Sequence, residues 1–563
     1  MTIRSYLEKF ARETPAASAL RFCEAKTWKT RSWAAFLAGV RTVAEAYGPR
    51  FALRPREENV AVLLPNGPDW MEVYLACSGA GVGVVPLDPK LHSAEVEYIL
   101  KDSGAVVVTT DRAHLDLMRL IAPNLPALRA VVLVDGAAAP AGVLGDVPVL
   151  DYAALKADPE TARRAAGREA WYDRNVAAPE DVASVIYTSG TTGKPKGAML
   201  THGNFVADID GGLAAFDDMT VDGRDTLLVV LPLFHAFSFC TNFVLGLFRG
   251  CEMAFVRSLY TIGEDIHVLR PTIVMSVPLL AEKMFDRIDA KIKASKAAGV
   301  LMKVGLGGLV RRNVRKGLGG RLRFMIVGGA PCPRHVLEGY KRLGIPVLEG
   351  YGLTECAPVV SIAGPKVAKI GTIGFKLANI EVRLADADEQ GVGELQVKGP
   401  ITMKGYWHNE EATREAFDGE WLKTGDLASI DEVGLISIRG RKKALIVNRE
   451  GKNIYPEEVE ARIGADPVVA DCVVVGYTTG GLPGEKVGCV VHPNMDLLKE
   501  MNGGAEVAWA TAEKLAQDRV HAQCQHLADY KRVRKVLVSK EPLARTSIQK
   551  VRRVAYKGVL DEA

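Results

Sequence analysis

Residues suited to binding phosphate form one dense run, Tyr187-Thr-Ser-Gly-Thr-Thr-Gly-Lys-Pro-Lys-Gly197. Its glycines let the backbone approach a ligand closely, while its hydroxyl groups and lysines add hydrogen-bond donors and positive charge. Backbone N–H groups and lysine ammonium groups together suit phosphate oxygens. The apolar stretch Val182–Tyr187 precedes the run and is typical of a strand that leads into such a loop. We therefore predict a phosphate-binding loop rather than a solvated surface turn.

This run differs from the Walker A motif, which has a glycine, four intervening residues, then Gly-Lys and a Ser or Thr. Here Thr188 occupies the position of the first glycine, and Pro195 follows Lys194. The sequence therefore disfavours a P-loop kinase or ATPase.

A second candidate site is Leu348-Glu-Gly-Tyr-Gly-Leu-Thr-Glu355, where Tyr351 could stack on a base. Glu355 offers the hard oxygen ligands that Mg²⁺ prefers beside phosphates. By itself the motif fits equally well a tight turn with an exposed glutamate.

Three further segments carry polar groups next to glycines. Asp426 follows Gly425, where a carboxylate could accept hydrogen bonds from ribose hydroxyls. Arg441 offers a fork of N–H donors. The segment Val327-Gly-Gly-Ala-Pro331 is small enough for a flat ring to lie against its backbone.

Short apolar runs alternate with amphipathic stretches, which predicts parallel sheets covered by helices on both faces. The first series has predicted strands at Val60–Leu64, Val82–Leu87, Ala105–Thr109 and Val131–Val134, and helices at Pro68–Ala80 and Ser93–Lys101. The second has strands at Thr226–Leu231, Glu252–Val256, Thr272–Ser276 and Arg323–Val327, and a helix at Val277–Lys293. Surface connections are predicted at Ala137–Ala141 and Ala157–Arg174.

After Ile370 the pattern changes to short strands separated by glycine turns, which predicts a β-rich subdomain. These strands are predicted at Glu381–Leu384, Gly393–Lys398, Leu427–Ile430 and Leu435–Ile438. Beyond residue 440 we predict a small α+β domain with a helix from Pro456, strands at Cys472–Val475 and Val487–Val491, and a helix at Ala505–Leu527. The predicted fold class is α/β: a large N-terminal domain (1–439) of two doubly wound subdomains plus a β-rich one, and a small mobile C-terminal domain (440–563).

Composition excludes several classes of protein. A net charge of +4 over 563 residues gives no electrostatic reason to expect nucleic acid as a partner. Nine scattered cysteines without a CxxC pair fit reduced thiols in the cytoplasm. The N-terminus carries Glu8 and lacks the continuous apolar region of a signal peptide.

Two segments raise the question of membrane contact. Thr226–Phe248 has no charged residue and is long enough to span a bilayer. Pro232 and His235 near its middle instead favour a buried strand, a turn and a buried helix from about Ala236. The segment 283–323 carries twelve Lys or Arg residues against two acids. It is either a solvated helical excursion or a surface for anionic lipid or an acidic carrier protein.

Taken in order, these motifs resemble those of the adenylate-forming (AMP-binding) superfamily, from about Ser5 to Arg553. Arg441-Lys-Lys443 and the segment from Gly451 to Glu458 resemble its fatty acyl-CoA synthetase branch. The resemblance implies an active site between a large and a small domain. It also implies which residues bind each part of the nucleotide. The ATP phosphates would be bound by Thr188, Ser189, Gly190, Thr191, Thr192, Gly193, Lys194 and Lys196, and adenine would be enclosed by Gly329, Ala330, Tyr351 and Gly352. Thr354 would contact the α-phosphate, Glu355 with Thr188 would bind Mg²⁺, Asp426 and Arg441 would bind ribose, and His235 would be the gate beside the carboxylate.

The same resemblance makes Lys550 the catalytic lysine, Lys443 the hinge and Gly451 part of the thiol channel. The family pattern near the C-terminus is Pro-x-Thr-x-x-Gly-Lys-x-x-Arg. Lys550 and Arg553 match it, whereas Ala544 and Gln549 replace the usual proline and glycine. We expect a loop of different shape that keeps its lysine.

The implied reaction joins a medium- to long-chain fatty acid to coenzyme A, with ATP and Mg²⁺, through an acyl-adenylate. Alternatives are transfer to an acyl carrier protein, an aryl acid substrate, or a non-catalytic acyl or nucleotide binder. A cytoplasmic location is expected, with 283–323 as a peripheral contact at the inner face of the membrane.

Overall fold

The computed structural model describes residues 1–136, 144–167, 170–188, 194–216, 220–295, 307–364, 369–450, 452–479, 484–545 and 551–561. The chain forms two compact units. Unit 1 comprises Met1–Glu381 and Val397–Leu422, and unit 2 comprises Val382–Gln396 and Lys423–Ala563. The predicted domain boundary between residues 439 and 440 stays a prediction. The connection at Ala137–Ala141 lies outside the described residues.

The first sheet of unit 1 has seven strands, and all of its pairs are parallel except the last. Its central strands are buried throughout, as the continuous apolar runs predicted. The strand order is Val149–Asp151, Ala130–Leu133, Val107–Thr110, Asn59–Leu63, Gly83–Pro86, Val182–Thr188 and Lys196–Thr201.

The second sheet of unit 1 has nine strands, in the order Phe375–Lys376, Val359–Ile362, Val347–Gly352, Phe324–Val327, Ile273–Ser276, Thr226–Val229, Glu252–Phe255, Ser18–Glu24 and Thr27–Ser32. The strands from Val347–Gly352 to Ser18–Glu24 are parallel. Their carboxyl ends therefore meet at one edge, which is where ligands bind in open α/β sheets.

Helices cover these sheets, and several of them begin with proline. The first N–H of a helix has no acceptor within the helix, so proline loses no hydrogen bond at that position. The α-helices of unit 1 are Ile3–Glu13, Trp33–Tyr47, Pro68–Ser78, Ser93–Ser103, Leu115–Ile121, Tyr152–Ala157, Pro159–Ala166, Trp171–Arg174, His202–Leu213, Ala236–Ser238, Leu245–Arg249, Ile262–Leu269, Pro278–Ala294, Gly307–Gly317, Arg334–Arg342 and Glu410–Ala416.

The uncharged segment Thr226–Phe248 is a buried strand followed by a turn and buried helical residues, as predicted. It includes one stretch of π-helix, Phe239–Val244. Among the described residues, no helix is both long enough and apolar enough to cross a bilayer.

The surface connection predicted at Ala157–Arg174 is partly wrong. Trp171 and Tyr172 are buried there, and the Arg4 guanidinium lies 3.7 Å from the centre of the Tyr172 ring. The ring is covered by the N-terminal helix Ile3–Glu13, a long-range contact that local composition does not reveal.

Unit 2 contains a three-stranded sheet of Val469–Tyr477, Lys486–Pro493 and Lys535–Val538. The helices Pro456–Ile463 and Trp509–Cys524 pack on it through Val459, Ile463, Ala516 and Val520. A further helix is Met495–Met501, and Ile446–Val447 pairs with Asn453–Ile454. A five-stranded sheet is built from Glu381–Ala385, Gly393–Lys398, Trp421–Ile430, Phe417–Asp418 and Ile436–Arg441. The chain changes unit three times within these strands, after Glu381, Gln396 and Leu422.

Candidate active site

The predicted phosphate loop joins two antiparallel strands of unit 1, in which Thr188 lies opposite Lys196 and Tyr187 opposite Gly197. A Cβ atom on Gly197 would lie 2.7 Å from Val185 Cγ1, so only glycine fits there. The Tyr187 hydroxyl donates to Asp102 Oδ2 at 2.5 Å, and burial is the main cause that raises the pKa of Tyr187. The base of the loop is thus fixed on both strands. Ser189, Gly190, Thr191, Thr192 and Gly193 lie outside the described residues.

The lysines at the base of this loop both lie near tyrosine rings. The Lys194 ammonium is 5.9 Å from the centre of the Tyr98 ring, and the Lys196 ammonium is 5.3 Å from that of Tyr406. The Tyr406 hydroxyl donates to Glu355 Oε1 at 2.9 Å. The structure therefore brings Lys196 and the predicted magnesium ligand Glu355 to the same tyrosine. Burial, with the charge of Glu355 as the next cause, raises the pKa of Tyr406.

Glu355 lies in a tight turn between the strands Val347–Gly352 and Val359–Ile362. The Leu353 N–H donates to the Pro358 carbonyl at 2.9 Å and closes the turn. A Cβ atom on Gly352 would lie 1.8 Å from the same carbonyl, which explains the glycine. Tyr351, Gly352, Thr354 and Glu355 are thus presented together at the carboxyl edge of the nine-stranded sheet.

Gly329 and Ala330 follow the neighbouring strand, Phe324–Val327, in which Val327 lies opposite Glu349. Gly329 has φ +88°, a conformation that favours glycine. Because the two strands are parallel, Gly329 and Ala330 leave the sheet at the same edge as Tyr351. The role of this turn in holding a flat ring stays a prediction.

His235 precedes the short helix Ala236–Ser238, and its Nδ1 accepts the N–H of Phe237 at 3.2 Å. A Cβ atom on Gly328 would lie 3.1 Å from Phe237 Cζ, so the His235 segment packs against the turn that carries Gly329. The π-helix Phe239–Val244 follows directly, and such π segments occur frequently at functional sites.

Glu349 is a titratable group in this edge that the sequence analysis did not single out. Burial raises its pKa from 4.5 to about 7, although the Cys332 N–H donates to its Oε1 at 3.4 Å and opposes the shift. The folded protein therefore keeps a proton on Glu349 that the unfolded chain releases between these two pKa values. The resulting stabilisation is fully present below the unfolded pKa and is lost as the pH rises through about 7.

We expect Glu349→Gln to remove this pH dependence. Between pH 6 and pH 8 the wild type should lose about 1 kcal/mol of stability relative to the variant, which for a unit of about 400 residues corresponds to a relative Tm shift of only roughly 1 °C. Thermal unfolding in a pH series checks this, with the exposed Glu180→Gln as the control. If the Tm changed with pH in the same way in the wild type and in Glu349→Gln, Glu349 would have an ordinary pKa, and the prediction would be wrong.

In unit 2, the predicted ribose residues form an ion pair. Arg441 Nε lies 2.7 Å from Asp426 Oδ1, and the two residues lie opposite each other on paired strands. Asp426 is buried while half of the Arg441 side chain is exposed, so the pair presents N–H donors outward. Lys443 lies two residues further, in the turn Lys442–Ala444. Gly451 lies outside the described residues.

Lys550 also lies outside the described residues, but the described residues on both sides of it are held in unit 2. Arg545 and Val551 form an antiparallel bridge, and Arg545 Nη2 lies 2.5 Å from Asp471 Oδ2. After the loop, Arg553 Nη1 lies 2.9 Å from Glu457 Oε1, and its Nη2 lies 2.8 Å from Glu460 Oε2. A Cβ atom on Gly440 would lie 2.5 Å from Glu457 Oε2, so this anchor lies against the strand that carries Arg441.

Sequence reasoning missed Tyr406, Glu457 and Glu460. Tyr406 follows Gly405 in Lys404-Gly-Tyr-Trp407, and a glycine next to two aromatic residues is a weak local signal. Glu457 lies in the first turn of Pro456–Ile463, where acidic residues are common for a local reason, and Glu460 follows one turn later.

Unit 1 has two α/β sheets with glycine-rich turns at their carboxyl edges, and a separate unit carries an Asp–Arg pair. This combination is typical of the adenylate-forming class of enzymes. A family model described as "AMP-binding enzyme" matches residues 7–407. The chain belongs to this family, which confirms the predicted resemblance.

Two curated relatives illustrate the similarity. The long-chain-fatty-acid–CoA ligase FadD15 of Mycobacterium bovis is 34% identical over 456 residues, which cover 74% of this chain and 71% of that protein. The peroxisomal long chain acyl-CoA synthetase 7 of Arabidopsis thaliana is 29% identical over 519 residues, which cover 85% of this chain and 69% of that protein.

Solved structures share the fold over nearly the whole chain, which confirms the predicted fold class. The fatty acyl CoA synthetase of Mycobacterium tuberculosis superposes with a TM-score of 0.66 at 24% identity and covers 99% of this chain and 97% of its own. The O-succinylbenzoate coenzyme A synthetase of Bacillus subtilis, in complex with AMP, has a TM-score of 0.75 at 24% identity, with 98% of each chain covered.

Proposed function

We propose that this protein activates a medium- to long-chain fatty acid with ATP and transfers the acyl group to coenzyme A. The observation that carries this proposal is the meeting of Lys196 and Glu355 at Tyr406, beside the turns that hold Tyr351 and Gly329. The fatty acyl-CoA ligase names of the curated relatives support the choice of acid and of thiol.

The residues of unit 1 fit the binding of Mg²⁺ and ATP phosphates. Glu355 offers carboxylate oxygens, the ligands that Mg²⁺ prefers, and Thr188 can add a hydroxyl oxygen. In this proposal Lys194, Lys196 and residues 189–193 would bind the phosphate oxygens, and bound Mg²⁺ would neutralise phosphate charge. Tyr351 with Gly329 and Ala330 would bind adenine, and Asp426 and Arg441 would bind ribose.

The chemistry needs activation because a carboxylate has only oxide as a leaving group. Attack by the acid on the α-phosphate of ATP gives an acyl-adenylate and pyrophosphate, and attack by a thiol then releases AMP. The protein contributes positioning and charge neutralisation. We assign Lys550 to the oxygens of the acid and the α-phosphate, His235 to the acid entrance, Thr354 to the α-phosphate, Lys443 to a hinge, and Gly451 to the thiol channel of the second step.

A panel of acids tests this function. With ATP, Mg²⁺ and CoA, the purified protein should release AMP with fatty acids of about 8–18 carbons, and rates should rise with chain length because each buried methylene contributes about 0.8 kcal/mol. The same panel with an acyl carrier protein as acceptor and with aryl acids tests the two alternatives. AMP release with none of the fatty acids would contradict the proposal.

We also propose that the basic segment 283–323 binds anionic lipid. The helix Gly307–Gly317 carries Arg311, Arg312, Arg315 and Lys316 without an acidic residue, and Leu309 on it is 51% exposed. Such a surface suits the negative charge and the apolar boundary of a membrane.

Binding to vesicles that contain anionic lipid should therefore weaken as salt increases, and it should be weak with neutral vesicles. Arg311→Glu with Arg312→Glu should reduce vesicle binding at least tenfold, since each basic residue contributes about 1 kcal/mol and each reversal adds repulsion. Cosedimentation measures this, with Lys9→Glu as a surface control. Binding that ignores salt and lipid charge would favour the solvated excursion.

A further inference from the structure

Tyr406 holds a central place in the site that none of the motifs above assigns to it. Its hydroxyl donates to Glu355 Oε1 at 2.9 Å, and its ring lies 5.3 Å from the Lys196 ammonium. One side chain therefore contacts the carboxylate suited to a metal and the cation suited to phosphate.

The backbone around Tyr406 is bonded to both of the segments that it joins. Gly405 accepts from the Met199 N–H at 2.9 Å, and Trp407 donates to the Gly197 carbonyl at 2.7 Å. On the other side, the Met403 N–H donates to the Glu355 carbonyl at 2.8 Å. Tyr406 thus projects from a short segment fixed to the phosphate hairpin and to the Glu355 turn.

A neighbouring helix fixes Tyr406 further. The Tyr406 N–H donates to Thr413 Oγ1 at 2.9 Å, and Thr413 belongs to the helix Glu410–Ala416. Gly405 has φ +141°, and a Cβ atom there would lie 2.9 Å from Thr413 Cγ2. The ring can therefore act as a rigid support rather than as a mobile surface group.

We propose that Tyr406 is a positioning residue that orients Glu355 toward Mg²⁺ and Lys196 toward the phosphates, and thereby couples metal binding to nucleotide binding. This inference rests on the proposed function, in which Glu355 binds Mg²⁺. The terminal torsion of a glutamate is broad, so an unrestrained carboxylate samples many orientations. The hydrogen bond to Oε1 restricts this torsion.

The size of the effect follows from comparable metal sites. Removing a group that orients a metal ligand through a hydrogen bond typically lowers metal affinity or activity 10–100-fold. An exposed contact between an ammonium group and an aromatic ring is worth less, about 2–5-fold in affinity. The two contacts of Tyr406 can therefore be separated by substitution.

The experiment measures the dissociation constant of ATP with Mg²⁺ and with EDTA by equilibrium dialysis, so its readout is binding rather than turnover. Tyr406→Phe keeps the ring and loses the hydroxyl. It should leave the metal-free affinity unchanged and reduce the gain due to Mg²⁺ about 10–100-fold. Tyr406→Leu should show the same loss and, in addition, weaken metal-free ATP binding about 2–5-fold. Tyr260→Phe is the matched control, because Tyr260 is 95% exposed.

Glu355→Gln separates this inference from the function on which it rests. If Glu355→Gln loses the gain due to Mg²⁺ while Tyr406→Phe keeps it, the role of Tyr406 is overturned and the proposed function stands. If Glu355→Gln binds Mg²⁺ with ATP as the wild type does, the assignment of Glu355 to Mg²⁺ fails and the role of Tyr406 fails with it, while the acid panel still decides the proposed function. Unchanged Tm values for Tyr406→Phe, with a selective loss of the Mg²⁺ effect, would support positioning rather than a general folding defect.

Discussion

Lys550→Ala should lower acid-dependent ATP–pyrophosphate exchange about 10³-fold, while thioester formation from a premade acyl-adenylate should continue at close to the wild-type rate. One cation at ~4 Å from the developing charge, at an effective dielectric constant of ~20, contributes roughly 4 kcal/mol. If the interaction is felt only in the transition state, this corresponds to about three orders of magnitude in rate.

The two half-reactions must be measured separately. Isotope exchange between pyrophosphate and ATP reports the first, and release of AMP from a supplied acyl-adenylate and CoA reports the second. Lys557→Ala is the matched control, because Lys557 is an exposed lysine of the same C-terminal segment. Equal loss of both half-reactions in Lys550→Ala would contradict an account in which this lysine serves adenylation alone.

Arg553→Ala should destabilise unit 2 by about 3 kcal/mol, because it leaves two partly buried carboxylates without their cation. Arg553 bonds to Glu457 and to both carboxylate oxygens of Glu460. Burial raises the pKa of both glutamates, and the positive charge of Arg553 opposes that rise. Without the arginine, these groups must either stay charged and unpaired or bind protons.

Hydrogen exchange in the helix Pro456–Ile463 during urea unfolding measures this effect within the intact chain. Arg552→Ala is the control, since it removes an exposed arginine next to the ion pairs. A triple variant with Arg553→Met, Glu457→Gln and Glu460→Gln should recover part of the lost stability, because no uncompensated charge remains. An Arg553→Ala protein that unfolds within about 0.5 kcal/mol of the wild type would mean that water compensates both glutamates.

The ion pairs of Arg553 are also relevant to Lys550, which lies three residues earlier in the chain. Arg553 and the bridge between Arg545 and Val551 hold the two ends of the loop that carries the lysine. The described residues on either side of positions 546–550 are thus held by ion pairs with Asp471, Glu457 and Glu460.

The local elements and the order of the motifs could be predicted from the amino-acid sequence alone. Continuous β-branched and apolar runs predicted Asn59–Leu63, Thr226–Val229 and Val182–Thr188 to within about two residues, because burial on both faces of a parallel sheet demands such runs. The need for glycine at Gly197 and Gly352 could also be predicted, because close approach of the backbone is a local constraint.

The contacts between distant segments could not be predicted from the sequence and follow from the fold. The strand Ser18–Glu24 pairs with Glu252–Phe255, and Trp171–Arg174 is buried rather than exposed. The contact of Tyr406 with Glu355 and Lys196 joins three segments that are far apart in the chain. Periodicity reports which face of an element is buried but not its partner, since pairing depends on the packing of the whole unit. The residue types for phosphate and metal were thus present in the sequence, whereas the tyrosine that holds two of them together emerged only from the fold.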